Sequence, residues 1–223
     1  MARSRDAGYV SAFEVGVANT EIKDESYKSH SVSRMRTRDR GYISKTTVAG
    51  FIDESFEPIA TTTVGSGGSS SITFSSIPAT YKHLQIRYMA RTDRANNEDI
   101  VLVRFNSDTG SNYSRHYMFG NGSSVGTGGG ASQTYILTDG CTGASTTASV
   151  FGCGVLDVLD YADTNKYKTL RGLTAYDRNG GGLVVMNSGN WRSTSAITSI
   201  TITSFNSANF VQYSQFALYG IKG

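Results

Sequence analysis

The chain is short of nearly every residue that would announce a chemistry. Among 223 residues there are 2 Cys, 2 Pro, 3 His and 1 Trp, and only 17% of the side chains are charged. Two cysteines rule out a disulfide-rich scaffold and a four-cysteine zinc centre. No stretch approaches the roughly 18 consecutive apolar residues of a membrane-spanning helix. The opening MARSRDAGYV lacks the apolar core of a signal peptide, so a soluble chain made without an export signal is expected. A net charge of +3 is far from the basic excess of a nucleic-acid-binding domain. Low charge combined with 38% hydrophobic residues also argues against a disordered chain.

What the chain does have is glycine (25 residues), tyrosine (13) and many β-branched side chains. From Ile59 onward they alternate. Leu84, Ile86 and Tyr88 share one phase, as do Val101, Val103 and Phe105, and Ile200 and Ile202 lie between threonines. Period-two patterning predicts half-buried antiparallel strands. Strands are expected over 59–64, 71–77, 82–91, 99–106, 113–119, 134–138, 149–159, 166–176, 183–187, 196–204 and 212–221. Asp108-Thr109-Gly110, Asn121-Gly122, Asp139-Gly140 and Asn179-Gly180 supply turns between them. With no long amphipathic helix in the pattern, the expected fold is an all-β antiparallel β-sandwich, a jelly roll in the first instance, with a closed barrel as the alternative. The stretch from Gly122 to Ala131 (GSSVGTGGGA) reads as a long glycine loop. Ile200, Ile202, Phe216 and Leu218 are expected in the core.

Charge is unevenly placed. Residues 1–50 hold nine basic and six acidic side chains, whereas 51–223 hold twelve of each. The reading is an extended N-terminal attachment arm, 1–57, before a β-sandwich domain, 58–223. Within the arm Phe13, Val15 and Val17 alternate as a short strand would. Arg34, Arg36, Arg38 and Arg40 recur at every second position of SRMRTRDR. In an extended chain their guanidinium groups leave one side about 6–7 Å apart. Such a row is either a solvated face or a strip that docks on carboxylates of another subunit through forked hydrogen bonds. Nucleic acid is the weaker third reading, because no aromatic stacking partners accompany the row.

Catalytic signatures fail on inspection. Gly122-Ser123-Ser124-Val125-Gly126 has the spacing of a nucleophile elbow, but the histidines are His30, His83 and His116, and none follows Ser124. Gly126-Thr127-Gly128 with Ala131 mimics a dinucleotide fingerprint without the βαβ unit that would make it one. Asp157, Asp160 and Asp163 lack the alternating spacing of a calcium loop and read as a strand end and a turn. His83 and His116 have no Cys or His at metal-ligand spacing and read as ordinary strand residues. Cys141 and Cys153 either bridge neighbouring strands or, as is commoner in a reducing compartment, are two small buried hydrophobes. No catalytic residue, metal site or cofactor is expected, and so no hydrolase activity.

Four segments bear a resemblance: SSIPATYKHLQIRYMARTDR, VLVRFNSDTGSNYSRHYMFGNGSS, VLDYADTNKYKTLRGLTAYD and the closing NFVQYSQFALYGIKG. Together they resemble a family of bacteriophage virion proteins, β-sandwich modules of tail fibres, tail tips and capsid surfaces. The resemblance spans residues 57–223 and does not extend to the arm. It implies a virion component assembled in the host cytoplasm and supplies no catalytic residues. The function it suggests is an oligomeric capsid decoration, or cement, protein, expected as a homotrimer. It would stabilise the head by binding major capsid subunits through Arg34, Arg36, Arg38, Arg40, Phe13, Val15 and Val17. The alternative is a short tail fibre or receptor-binding protein that contacts a host glycan, although the chain has no heptad or β-helical repeat for a shaft. A glycan hydrolase is the remote third reading; membrane and nucleic-acid partners are not expected.

Overall fold

Alternation along the chain becomes two packed antiparallel sheets. The computed structural model describes 36–37, 41–42 and 55–223, and among these residues there are strands and no helix. Strands β1 (Arg36–Thr37) and β2 (Gly41–Tyr42) pair with each other, Arg36 opposite Tyr42. The second unit, Ser55–Gly223, holds everything else. Its large sheet has eight strands in the order β3 (Phe56–Thr63), β16 (Gln215–Ile221), β5 (His83–Ala90), β12 (Gly152–Leu159), β13 (Lys168–Asp177), β14 (Gly182–Trp191), β8 (Tyr113–Gly120) and β9 (Val125–Gln133). Opposite it lies a four-stranded sheet, β10 (Ile136–Leu137), β7 (Val101–Phe105), β15 (Ile200–Ser204) and β4 (Ser71–Phe74). A short ribbon pairs β11 (Cys141–Thr142) with β6 (Glu98–Asp99).

The core is the space between the sheets. Phe74, Val103, Phe105, Ile200 and Ile202 of the small sheet meet Leu84, Ile86, Leu156, Leu170, Phe216 and Leu218 of the large one. Each such side chain stabilises the fold by about 1.5–3 kcal/mol when fully buried. At one end Phe105, Tyr113 and Trp191 form a cluster with ring centroids 5.7–6.4 Å apart. The indole nitrogen of Trp191 donates to Asp108 Oδ2 at 2.7 Å, which pins the Asp-Thr-Gly turn to the core and holds the Asp108 carboxyl below its ordinary range. The Asn179-Gly180 turn closes the β13–β14 hairpin with φ of 56° and 115°, and Arg178 N donates to Gly181 O at 2.8 Å. Two consecutive left-handed residues match the right-handed strand twist, which is why an Asn-Gly pair occupies the turn.

The β-sandwich expectation holds, and three local expectations need correction or adjustment. The glycine stretch is not a loop: Val125–Gln133 is an edge strand of the large sheet, paired along β8. Its glycines leave room for the neighbouring strand's rings. A Cβ on Gly126 would lie 2.5 Å from Phe119 Cζ, and one on Gly128 would lie 2.5 Å from the Tyr117 hydroxyl. The cysteines are both free, and only Cys141 is a buried hydrophobe; Cys153 points outward from β12 and is exposed. Burial raises the Cys141 thiol pKa well above its ordinary range. Finally, β3 starts ahead of residue 58, because Phe56 and Glu57 already pair with Ile221 and Gly220.

Candidate functional site

Because strand side chains alternate, the large sheet has a second face turned away from the core. On this face the register aligns Arg87, Val155, Leu173, Met186 and Met118 across five neighbouring strands. The adjacent row is Met89, Cys153, Ala175 and Val184. Apart from Arg87 these positions are apolar yet open: Met89 is 54% exposed, Met118 51%, Leu173 55%, Val184 53% and Met186 59%. At about 4.8 Å between strands, the band runs roughly 20 Å across the sheet. One row further on, the surface turns polar. Gln85 Nε2 donates to Asp157 Oδ1 at 2.8 Å, Arg171 Nε donates to Asp157 Oδ2 at 3.0 Å, and Arg87 Nε reaches Gln85 Oε1 at 2.6 Å. An apolar band rimmed by ion-paired polar groups has the anatomy of a protein-binding surface. Its methionines can repack against a partner's contours.

A cleft of about 340 Å³ opens on the core side of the same sheet, beside the β8, β13 and β14 strand ends. Tyr117 and Phe119, two positions apart on β8, lie half-buried with near-parallel rings 6.4 Å between centroids. Gly128 and Gly126 of β9 form the backbone floor beneath them. Tyr176 lies deeper, donating its hydroxyl to Glu98 Oε2; burial and this bond push its pKa well above the ordinary range. The Arg178 guanidinium sits 5.5 Å over the Tyr176 ring. Asp139 pairs with Arg115 at 3.3 Å, and burial raises its carboxyl pKa despite that neighbour. The Arg115 guanidinium in turn lies 4.3 Å over Tyr117, so the ion pair helps hold the ring in place.

Of the sequence-predicted contact residues, only Arg36 is among those the structure describes. Arg36 falls in β1, and Phe13, Val15, Val17, Arg34, Arg38 and Arg40 lie outside the described residues. Asp157 is in β12 and Asp160 in the turn after it, as the sequence suggests. There Asp160 binds Lys82 at 3.0 Å and Lys166 at 2.5 Å, and accordingly has a pKa lowered to about 2. His83 Nδ1 accepts from Asp160 N at 3.0 Å. His116 stands in the polar outer row. Among the described residues no group of three or more His, Cys, Asp or Glu is placed to hold a metal ion. Sequence reading missed the apolar band, whose signal was present as runs apolar in both phases, Leu183-Val184-Val185-Met186 above all. It missed the cleft because Glu98, Asp139 and Tyr176 are remote from Tyr117 in sequence. Comparison with known protein families, curated proteins and solved structures gives no match.

Proposed function

We propose that the chain is a bacteriophage virion protein that acts by binding other protein subunits, as an oligomeric capsid decoration protein on the major capsid protein. The observation that carries this reading is the two-row apolar band on the outer face of the large sheet. A solvated sheet face would alternate polar residues outward; this one exposes Met89, Val155, Leu173, Val184, Met186 and Met118 instead. The resemblance to phage β-sandwich modules supports the virion setting. The mechanism is mechanical. A protein bound to the assembled shell and not to its separated subunits shifts the shell's rupture by mass action. Repetition over symmetric sites multiplies modest contacts, and a homotrimer would place three bands on one platform.

The test is a charge placed in the band. Leu173→Asp with Met186→Asp should leave the β circular dichroism spectrum intact, because both side chains point away from the core. The same pair of changes should reduce occupancy on particles by at least about tenfold, since two well-buried apolar contacts are worth more than 1.4 kcal/mol. Unchanged occupancy would remove the band from the mechanism. The tail-fibre alternative draws on a different observation, the aromatic cleft. Copy number separates the two: copies in proportion to the capsid subunits mean the head, and a handful matching the tail's symmetry means the tail.

A further inference from the structure

The cleft beside Tyr117 and Phe119 contributes nothing to the apolar band, and its chemistry is of another kind. We infer that it is a binding site for a short neutral saccharide, independent of the decoration reading. Three features lead there. First, Tyr117 and Phe119 present near-parallel rings on a rigid strand, above a floor where glycines admit no side chain. With Arg115 covering one side of Tyr117, the ring surface that remains, Phe119 above all, offers the flat apolar patch against which the C–H face of a pyranose packs. Second, the polar groups around the rings are oriented rather than free. Asn121 Oδ1 accepts from Ser123 N at 3.0 Å and Ser124 N at 2.8 Å, which turns its amide nitrogen outward as a donor. Glu98 receives the Tyr176 hydroxyl on one oxygen and keeps the other as an acceptor. The Arg178 guanidinium, held over the Tyr176 ring, lines the same cleft.

Third, the charges balance. Glu98 and Asp139 stand against Arg115 and Arg178, so a phosphate or an acidic sugar would face two carboxylates. A ligand with an apolar face and many hydroxyls, each able to donate and accept, suits this set of partners. The volume of about 340 Å³ lies at the small end of ligand pockets, about 300–1,000 Å³, which fits a short saccharide and not a long chain.

The experiment uses the full chain and saturation-transfer NMR, followed by calorimetry. The probes are free neutral oligosaccharides of glucose, galactose, mannose and N-acetylglucosamine, purified neutral cell-envelope polysaccharide, and a sialylated trisaccharide as the acidic comparator. Binding of a neutral probe is expected, free or envelope-derived, and which arm responds identifies the source. Tyr117→Ala with Phe119→Ala should weaken it at least tenfold. Because that variant can lose stability, Glu98→Gln and Arg178→Ala serve beside it; a tenfold loss in either places the sugar in the cleft. Particle occupancy measured on the same variants should not change, which keeps this site apart from the apolar band. No neutral probe bound at about 10 mM, binding of the sialylated probe alone, or equal affinity in all three variants would overturn the inference.

Discussion

Asp160 shows how a single residue's environment sets a pH response. Lys166 and Lys82 bind its carboxylate and bring its pKa to about 2, from an ordinary 3.8. A folded pKa below the unfolded one means the contribution is complete above about pH 4 and is lost as the pH falls toward 2. Both lysines are half exposed, 55% and 52%, so screening limits the contribution to about 1 kcal/mol. Asp160→Asn should therefore lower the urea midpoint at pH 7 and leave it close to the parent's at pH 2; an equal deficit at both pH values would mean that packing, not charge, is lost. The role of Asp160 as a turn residue was legible in DVLDYADTNKY. The role of Lys168 was not. Its side chain is fully buried, and its ammonium donates to the carbonyls of Asp163, Lys166 and Thr194. Only the folded chain brings Thr194 to that nitrogen, so no local pattern could have announced it.

Among the elements, the strands that alternate were readable and the strand made of glycine was not. Leu84, Ile86 and Tyr88 declare their face because burial selects every second residue. In β9 glycine has poor intrinsic strand preference, and what holds the strand is the partner's side chains: Phe119 over Gly126 and Tyr117 over Gly128. This predicts an inversion of propensity. Gly128→Val improves the intrinsic preference yet should destabilise the protein by about 1–3 kcal/mol, the range for overpacking. Thr127→Val, one residue away on the exposed face, should be neutral or slightly stabilising. Thermal melts of the two variants decide it, and in a Tyr117→Ala background the Gly128→Val change should cost little further, a recovery measured against Tyr117→Ala alone. Absence of that recovery would mean the ring is not the obstacle. The same logic explains the band. Period-two reading assigns one face to the core, and strands apolar in both phases, as β14 is at Leu183–Met186, leave the second face unaccounted for.

At the scale of the whole molecule, the proposed decoration role asks whether attachment would reside in the first 54 residues or in the β-sandwich. The unit Ser55–Gly223 has its own core. Its first strand is tied at the start, where Glu57 receives the Tyr81 hydroxyl at 2.9 Å, pairs with Lys222 and has its carboxyl pKa lowered by both. Phe56 lies 5.7 Å beneath the Arg87 guanidinium. A chain that starts at Ser55 should keep the full β spectrum and melt within a few degrees of the parent. One that starts at Ile59 loses Phe56, Glu57 and Pro58 with their pairing to β16 and should melt measurably below the Ser55 chain. On particles the Ser55 chain then separates two anchors. If Arg34, Arg36, Arg38 and Arg40 dock on a neighbour's carboxylates, its occupancy collapses, and changing all four to Ala in the full chain reproduces the loss. Attachment of the full chain should then also weaken as salt rises, because ion pairs at a rim are screened within about 8–10 Å. If the apolar band is the anchor, the Ser55 chain still binds, salt has little effect, and Leu173→Asp with Met186→Asp removes it. Retention by the Ser55 chain at moderate salt, together with loss in the band variant, would assign the anchor to the sheet and leave the arginine row solvated.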